Sequence, residues 1–259
     1  MYNSTIFMNK KIYLLIIILI VALGLGFVLD RQYIAQNKEI PVSENPIKSS
    51  SPSVSASPIL TSPSPKSENI PETYLIKNFP FESQAPNANW DELHDEACEE
   101  ASIALVNYYL NNKSMSKNSM EDEIQKMVQW EIDKWGTHKD LTVRETAEMG
   151  QVMYDLGNYK IIQNATIDDL KREISFNHPV IVPTAGRLLG NPNFRSPGPI
   201  YHMVVAIGYT KNSIIVQDVG TRNGNQYEYN QNVFYNALHD WNETYEKMES
   251  GSKTILIYS

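Results

Sequence analysis

Cysteine occurs once in the chain, at position 98, and the residues around it, Glu96-Ala97-Cys98-Glu99-Glu100-Ala101-Ser102, open an apolar run. Cys98, Ala101, Ala104, Leu105 and Tyr108 recur at i, i+3, i+6, i+7 and i+10, which is one stripe of a helix. The spacing predicts a buried helix with the thiol in its first turn and Asp95 as N-cap. The free N–H groups at such a position favour the thiolate, the nucleophilic form of cysteine. Glu96, Glu99 and Glu100 act against it, because a second negative charge nearby is disfavoured. A thiolate here needs a cationic partner; without one, Cys98 is a small buried hydrophobe.

Two later residues can supply that partner and its support. His202 opens the apolar segment YHMVVAIGYT, and Asp218 ends IIVQD. If these segments are neighbouring antiparallel strands, the carboxylate returns beside the imidazole and can orient it. A tight turn at Lys211-Asn212 sets His202 opposite about residue 221, so a bulge or a longer loop is required to bring Asp218 into reach. Cys98, His202 and Asp218 then form a nucleophile, a base and an orienting acid, the set used in thiol acyl transfer. The oxyanion of such a reaction also needs donors. The backbone amide of Cys98 and the side-chain amide of Gln84 offer two.

The elements that must position these residues divide the globular part in two. Apolar spacing predicts helices in EDEIQKMVQWEIDKW, in LTVRETAEMGQVMYDLG ending near Gly157, and in ATIDDLKREISFN with Thr166 as cap. The period then changes. PVIVPT, YHMVVAIGYT, NSIIVQDVGT and the closing KTILIYS read as strands, with a helix in QNVFYNALHDW carrying His239. Helices first and an antiparallel sheet afterwards indicate an α+β domain in two layers. The Gly- and Pro-rich loop from Thr184 to Ile200 is long for a compact domain and is expected to face substrate. Glu99, Glu100 and His138 read as solvated, and the tryptophans as core or cleft-wall residues.

With these residues in view, the chain resembles the papain-like cysteine peptidases, most closely the bacterial family typified by bacteriocin-leader-processing (double-glycine) peptidases and their stand-alone relatives. The resemblance runs from about Phe79 to Trp241 and rests on Gln84 in FESQAPN, Cys98 in DEACEEASIALVNYYL, His202 in YHMVVAIGYT and Asp218 in IIVQDVGTRNGNQYEY. It implies a papain-like α+β fold and assigns those four positions as oxyanion-hole glutamine, nucleophile, base and orienting acid. It also implies a peptide, protein or cell-wall peptide substrate, with neither cofactor nor metal. The family often has Gly beside the cysteine and Pro after the aspartate, where this chain has Ala97, Glu99 and Val219.

The N-terminal third has a different character. Ile12 to Leu29 is an uninterrupted apolar or glycine run, long enough to cross a bilayer core as a helix. Lys10 and Lys11 precede it, so residues 1–11 are expected in the cytoplasm, 12–29 as a transmembrane signal anchor, and the rest outside the cytoplasm. Residues 30–72 are rich in Ser and Pro and poor in large apolar side chains, which makes them a disordered linker to the domain at 73–259. A lone cysteine in an exported chain leaves no internal disulfide, so that domain must stand on its own core. The net charge of −8 argues against nucleic acid as a partner. Two other readings compete with the peptidase: a metal-binding module built on His94 and Cys98, four residues apart, and a peptidase fold retained only for binding.

Overall fold

The computed structural model describes residues 70–259, so the expected signal anchor and all but the end of the linker lie outside the described residues. Among the described residues no helix is long and apolar enough to cross a membrane. A short strand β1 (Tyr74–Leu75) leads into two helices, α1 (Glu92–Asp95) and α2 (Cys98–Leu110). α2 is the expected cysteine helix and begins on the cysteine itself. Every residue from Cys98 to Asn107 is buried, so the helix is enclosed on all sides and not along a single stripe.

Asp95 does not cap α2. The acidic lead-in folds into α1 instead, capped by Asp91, whose carboxylate accepts from the His94 amide at 3.0 Å. Asp95 is therefore used inside one helical turn and cannot start the next, and the N-cap of α2 is Ala97, which has no side-chain acceptor.

Three well-capped helices follow. α3 (Lys117–Trp135) starts from a Ser116/Ser119 capping box and stops at Gly136, whose φ of 81° is the left-handed conformation that glycine adopts without a Cβ penalty. α4 (Val143–Tyr154) begins with a Thr142/Glu145 box, and α5 (Ile167–Ser175) with Thr166, as expected, paired with Asp169. Between α4 and α5 lies β2 (Tyr159–Ile162), a half-exposed edge strand whose YKII sequence carries no alternation.

The remaining strands are β3 (Val180–Ala185), β4 (Tyr201–Tyr209), β5 (Ser213–Gln217), β6 (Tyr227–Asn230) and β7 (Ile255–Tyr258). They form one antiparallel sheet in the order β2-β7-β3-β4-β5-β6, with β1 added beside β4. β3 and β4 are buried along their whole length, so both faces of the sheet centre are covered, and α2 and α5 both pack on β4. Pro183 is tolerated in β3 because pairing with β7 ends at Ile181. The helix α6 (Gln231–Ala237) is shorter than its sequence pattern. Leu238 bridges to Thr184, and the His239 amide donates to the Pro183 carbonyl at 3.1 Å, so sheet-type bonding replaces the expected last turn and His239 is not helical.

β4 and β5 contain the irregularity that the spacing of His202 and Asp218 requires. The register shifts between Ala206 and Gly208, leaving Val205 opposite Gln217. Continued to the end of β4, this register sets His202 opposite Gly220, and Asp218 becomes its diagonal neighbour on the same face.

Candidate active site

The site forms where the start of α2 meets the start of β4. Ser102 Oγ donates to the Met203 carbonyl at 3.4 Å, and the Met203 amide donates to Cys98 Sγ at 3.3 Å. The thiol donates to Glu99 Oε2 at 2.9 Å, and among the described residues no hydrogen bond joins it to His202. Burial, then the charges of Glu99 and Asp140, push the Cys98 thiol well above its ordinary value. Cys98 is thus held towards the neutral thiol. The helix position, which favours the thiolate, is outweighed by burial first and by the neighbouring acids second.

Glu99 and Glu100 are buried, not solvated as their sequence context suggests. Because α2 is enclosed on all sides, its charged residues have no outward face. Glu99 Oε1 accepts from the Leu141 amide at 2.8 Å, which fixes the connector between α3 and α4 against the thiol. Leu141 in turn receives the Tyr201 hydroxyl on its carbonyl at 2.7 Å. Burial, followed by the charge of Glu100, raises the Glu99 carboxyl well above the usual range. His138 is likewise mostly buried, 3.1 Å from Glu100.

His202 and Asp218 meet directly, Nε2 to Oδ1, at 2.8 Å. Asp218 is fully buried, yet its carboxyl lies below the ordinary value: burial raises it, but the His202 charge and hydrogen bonds from His202, Tyr229 and the Gly220 amide lower it further. Oδ1 also accepts from the Gly220 amide at 3.0 Å, while Oδ2 accepts from Asn191 Nδ2 at 3.0 Å and from the Tyr229 hydroxyl. A carboxylate receiving Nε2–H selects the tautomer in which Nδ1 carries the lone pair, and Nδ1 has no hydrogen-bond partner among the described residues. The ring is held edge-on against Phe194, with centroids 5.3 Å apart.

Gln84 is buried beside this group, its amide N–H bonded to the Val219 carbonyl at 2.9 Å. Its side-chain Nε2 donates to the carbonyls of His94 and Asp95 at 2.8 and 3.2 Å, and Oε1 has no partner among the described residues. His94 is buried between Asp91, 2.6 Å from Nδ1, and Glu121, 3.1 Å from Nε2. It is not shared with Cys98 in any ligand cluster among the described residues.

Beside the site lies a cleft of about 450 Å³ whose lining includes Gln84, Glu96, Asp140, Phe194, His202 and Gly220. The Asn193–Ile200 part of the long loop forms one wall, as its length and composition suggest. Arg195 reaches across the rim to Asp95 at 2.8 Å. Burial raises Asp140 to about 6, with the charge of Glu96 adding to it.

Sequence reasoning missed Asn191 and Tyr229. Asn191 sits in the loop with no periodic signal. Tyr229 belongs to β6, where the alternation of Tyr227 and Tyr229 was the available clue to a strand with one face inward.

The model of the Peptidase_C39 like family matches residues 76–249. Among solved structures, the chain is similar to one from Bacillus anthracis assigned as a C39-like peptidase, at 18% sequence identity and a TM-score of 0.49, over 73% of this chain and 98% of that one. No curated protein sequence matches significantly.

Proposed function

The chain belongs to the Peptidase_C39 like family, and from that premise we propose that it is a cysteine peptidase, or a related amide hydrolase, tethered to the cell membrane through residues 12–29 with its catalytic domain outside the cytoplasm. The observation that carries this reading is the His202–Asp218 pair at 2.8 Å, adjacent in sequence to the Met203 amide that holds Cys98 Sγ at 3.3 Å. Its substrate is a peptide or protein, with cell-wall peptide one candidate class outside the membrane.

In this reading the thiol leaves Glu99 and turns towards His202. As Sγ bonds to the substrate carbonyl carbon, its proton passes to His202 Nδ1, and the imidazolium is held by Asp218 through Nε2–H. The carbonyl π electrons move to oxygen, where the Cys98 amide is the first donor. The Gln84 amide is the second once it releases the His94 and Asp95 carbonyls. The tetrahedral intermediate collapses to a thioester as Nδ1 returns the proton to the leaving amine; His202 then takes a proton from the water that attacks the thioester and passes it to Sγ as the C–S bond breaks, releasing the acid. None of the steps calls for a cofactor.

The test is full-length protein in detergent with a complex peptide mixture, cleavage being read by mass spectrometry beside Cys98→Ala. Cleavage by wild type alone, with an acyl adduct on Cys98 after acid quench, supports the proposal; cleavage by both proteins or by neither overturns it. A second reading, a peptide-binding module with an inert thiol, draws on the Cys98–Glu99 hydrogen bond and the raised thiol. It expects peptide retention without turnover.

A further inference from the structure

A second cluster lies behind the thiol wall and is not used by the reaction above. Glu100 on α2, Glu131 on α3 and His138 in the following connector bring two carboxylate oxygens and one imidazole nitrogen within 4.8 Å of one another. Glu100 and Glu131 are 1% and 0% exposed. Both Glu100 oxygens, Glu131 Oε1 and His138 Nε2 are buried and receive no hydrogen bond from any other group among the described residues, so the two carboxyls face only each other and the imidazole. His138 Nε2 lies only 3.1 Å from Glu100 Oε1, but the pair is not aligned as a hydrogen bond. Glu131 Oε2 accepts a single long bond, 3.4 Å from the Lys139 amide.

Two carboxylates facing each other in a dry interior repel, and each has lost its water. The nearest cations in sequence do not compensate them, since Lys134 is paired with Glu148 and Lys139 with Glu145. The unpartnered atoms instead converge on a common point, the arrangement of a ligand set awaiting a cation. We propose that Glu100, Glu131 and His138 bind one divalent metal ion, zinc by ligand type.

The chemistry of the donors selects zinc. One neutral imidazole with two carboxylate oxygens is a tetrahedral zinc set completed by water, whereas magnesium and calcium require six or more oxygens. Ligand atoms around tetrahedral zinc lie about 3.4 Å apart, given bonds of about 2.0–2.2 Å. The observed spacing, 3.1 Å for one pair and no more than 4.8 Å for any, brackets that value. The His138 side chain is 14% exposed, which gives an entry side for the ion and its water. Once bound, the ion ties α2 and α3 to the connector that continues to Leu141, and Leu141 holds both Glu99 and Tyr201. Its role is to brace the wall behind the nucleophile, and it does not rest on the hydrolytic reading.

The experiment uses full-length protein in detergent, stripped with a chelator and dialysed against Zn²⁺, with bound metal counted by elemental analysis and Co²⁺ as a visible-absorption probe. Wild type and Cys98→Ala are expected to hold one equivalent. Glu131→Gln and His138→Gln are expected to weaken zinc affinity by at least about tenfold, since even outer-shell changes cost that much. Zn²⁺ is expected to raise the melting temperature of wild type and of neither variant. Glu131→Gln keeps an acceptor for the Lys139 amide and nearly the same side-chain shape, and His138 is at the surface side, so both variants should fold, as circular dichroism will verify. Absence of stoichiometric zinc in wild type, as when the two carboxyls simply share a proton, overturns the proposal. So does zinc held equally tightly by both variants, or lost in Cys98→Ala.

Discussion

Gly220→Ala perturbs His202 without altering any residue assigned to the reaction. Gly220 stands opposite His202 in the continued β4–β5 register, and a Cβ built on it would lie 2.8 Å from His202 Cε1, 3.0 Å from Nε2 and 3.1 Å from Phe194 Cε1. Carbon atoms settle at about 3.5–4.0 Å, so the ring or its neighbours must retreat by about 0.7 Å or more. The ring cannot retreat freely, because Phe194 closes one side and Asp218 holds Nε2 at 2.8 Å. Gly220 is not in the left-handed region, so alanine adds no backbone strain, and the cost to stability is the overpacking itself, about 1–3 kcal/mol. For activity, a displacement approaching 1 Å at a reacting group costs about 10²-fold in rate. The assay is kcat/KM on a cleaved peptide, with thermal melts alongside. A folded Gly220→Ala protein with undiminished turnover would refute the placement of His202 at the reacting centre.

Tyr229→Phe removes one donor to the buried Asp218 carboxylate and should cost about 1.5–3 kcal/mol at pH 7 by chemical denaturation. The folded Asp218 carboxyl is depressed, so its contribution is present above the unfolded value of about 3.9 and is lost as pH falls through the folded value; the difference between variant and wild type should shrink in that acid range. Asp240 behaves in the opposite sense. Burial raises it from 3.8 to about 6, so the folded state holds a proton that the unfolded chain releases, and stability falls by about 3 kcal/mol between pH 4 and 6. Both amides it binds, Val143 and Trp241, donate to Oδ1, so Asp240→Asn keeps them, should flatten that slope, and should be the more stable protein at pH 8. Arg195→Ala breaks an exposed ion pair worth about 0–1 kcal/mol and should leave the melting temperature nearly unchanged, while raising KM through the lost cleft rim.

The cysteine helix, three of the strands around the site and the cap at Thr166 were legible because each has a strong period or a local polar signal. The need for a bulge between His202 and Asp218 followed from counting residues across an assumed hairpin, and the shift at Ala206–Gly208 answers it. What the sequence concealed was tertiary. Glu99 and Glu100 look like surface residues beside an apolar stripe, but burial of α2 on every side turns them inward. Asp95 has the right chemistry for a cap and is consumed by α1. β2 lies at the sheet edge, where apolar alternation is not needed, and Asn191 approaches Asp218 from a loop whose path no local pattern encodes. The raised Cys98 thiol follows from its burial and then from Glu99 and Asp140, which are equally tertiary in origin.

The most direct measurement is the rate of Cys98 alkylation by iodoacetamide at neutral pH, read by intact mass, in wild type beside His202→Ala. As the only cysteine, Cys98 reports without ambiguity. With burial and Glu99 holding the thiol neutral, rapid reaction needs the imidazole to accept the proton, and general-base assistance contributes about 10²–10⁴-fold. The account predicts a loss of that order in His202→Ala; equal rates in the two proteins would contradict it and leave Cys98 a structural residue of the core.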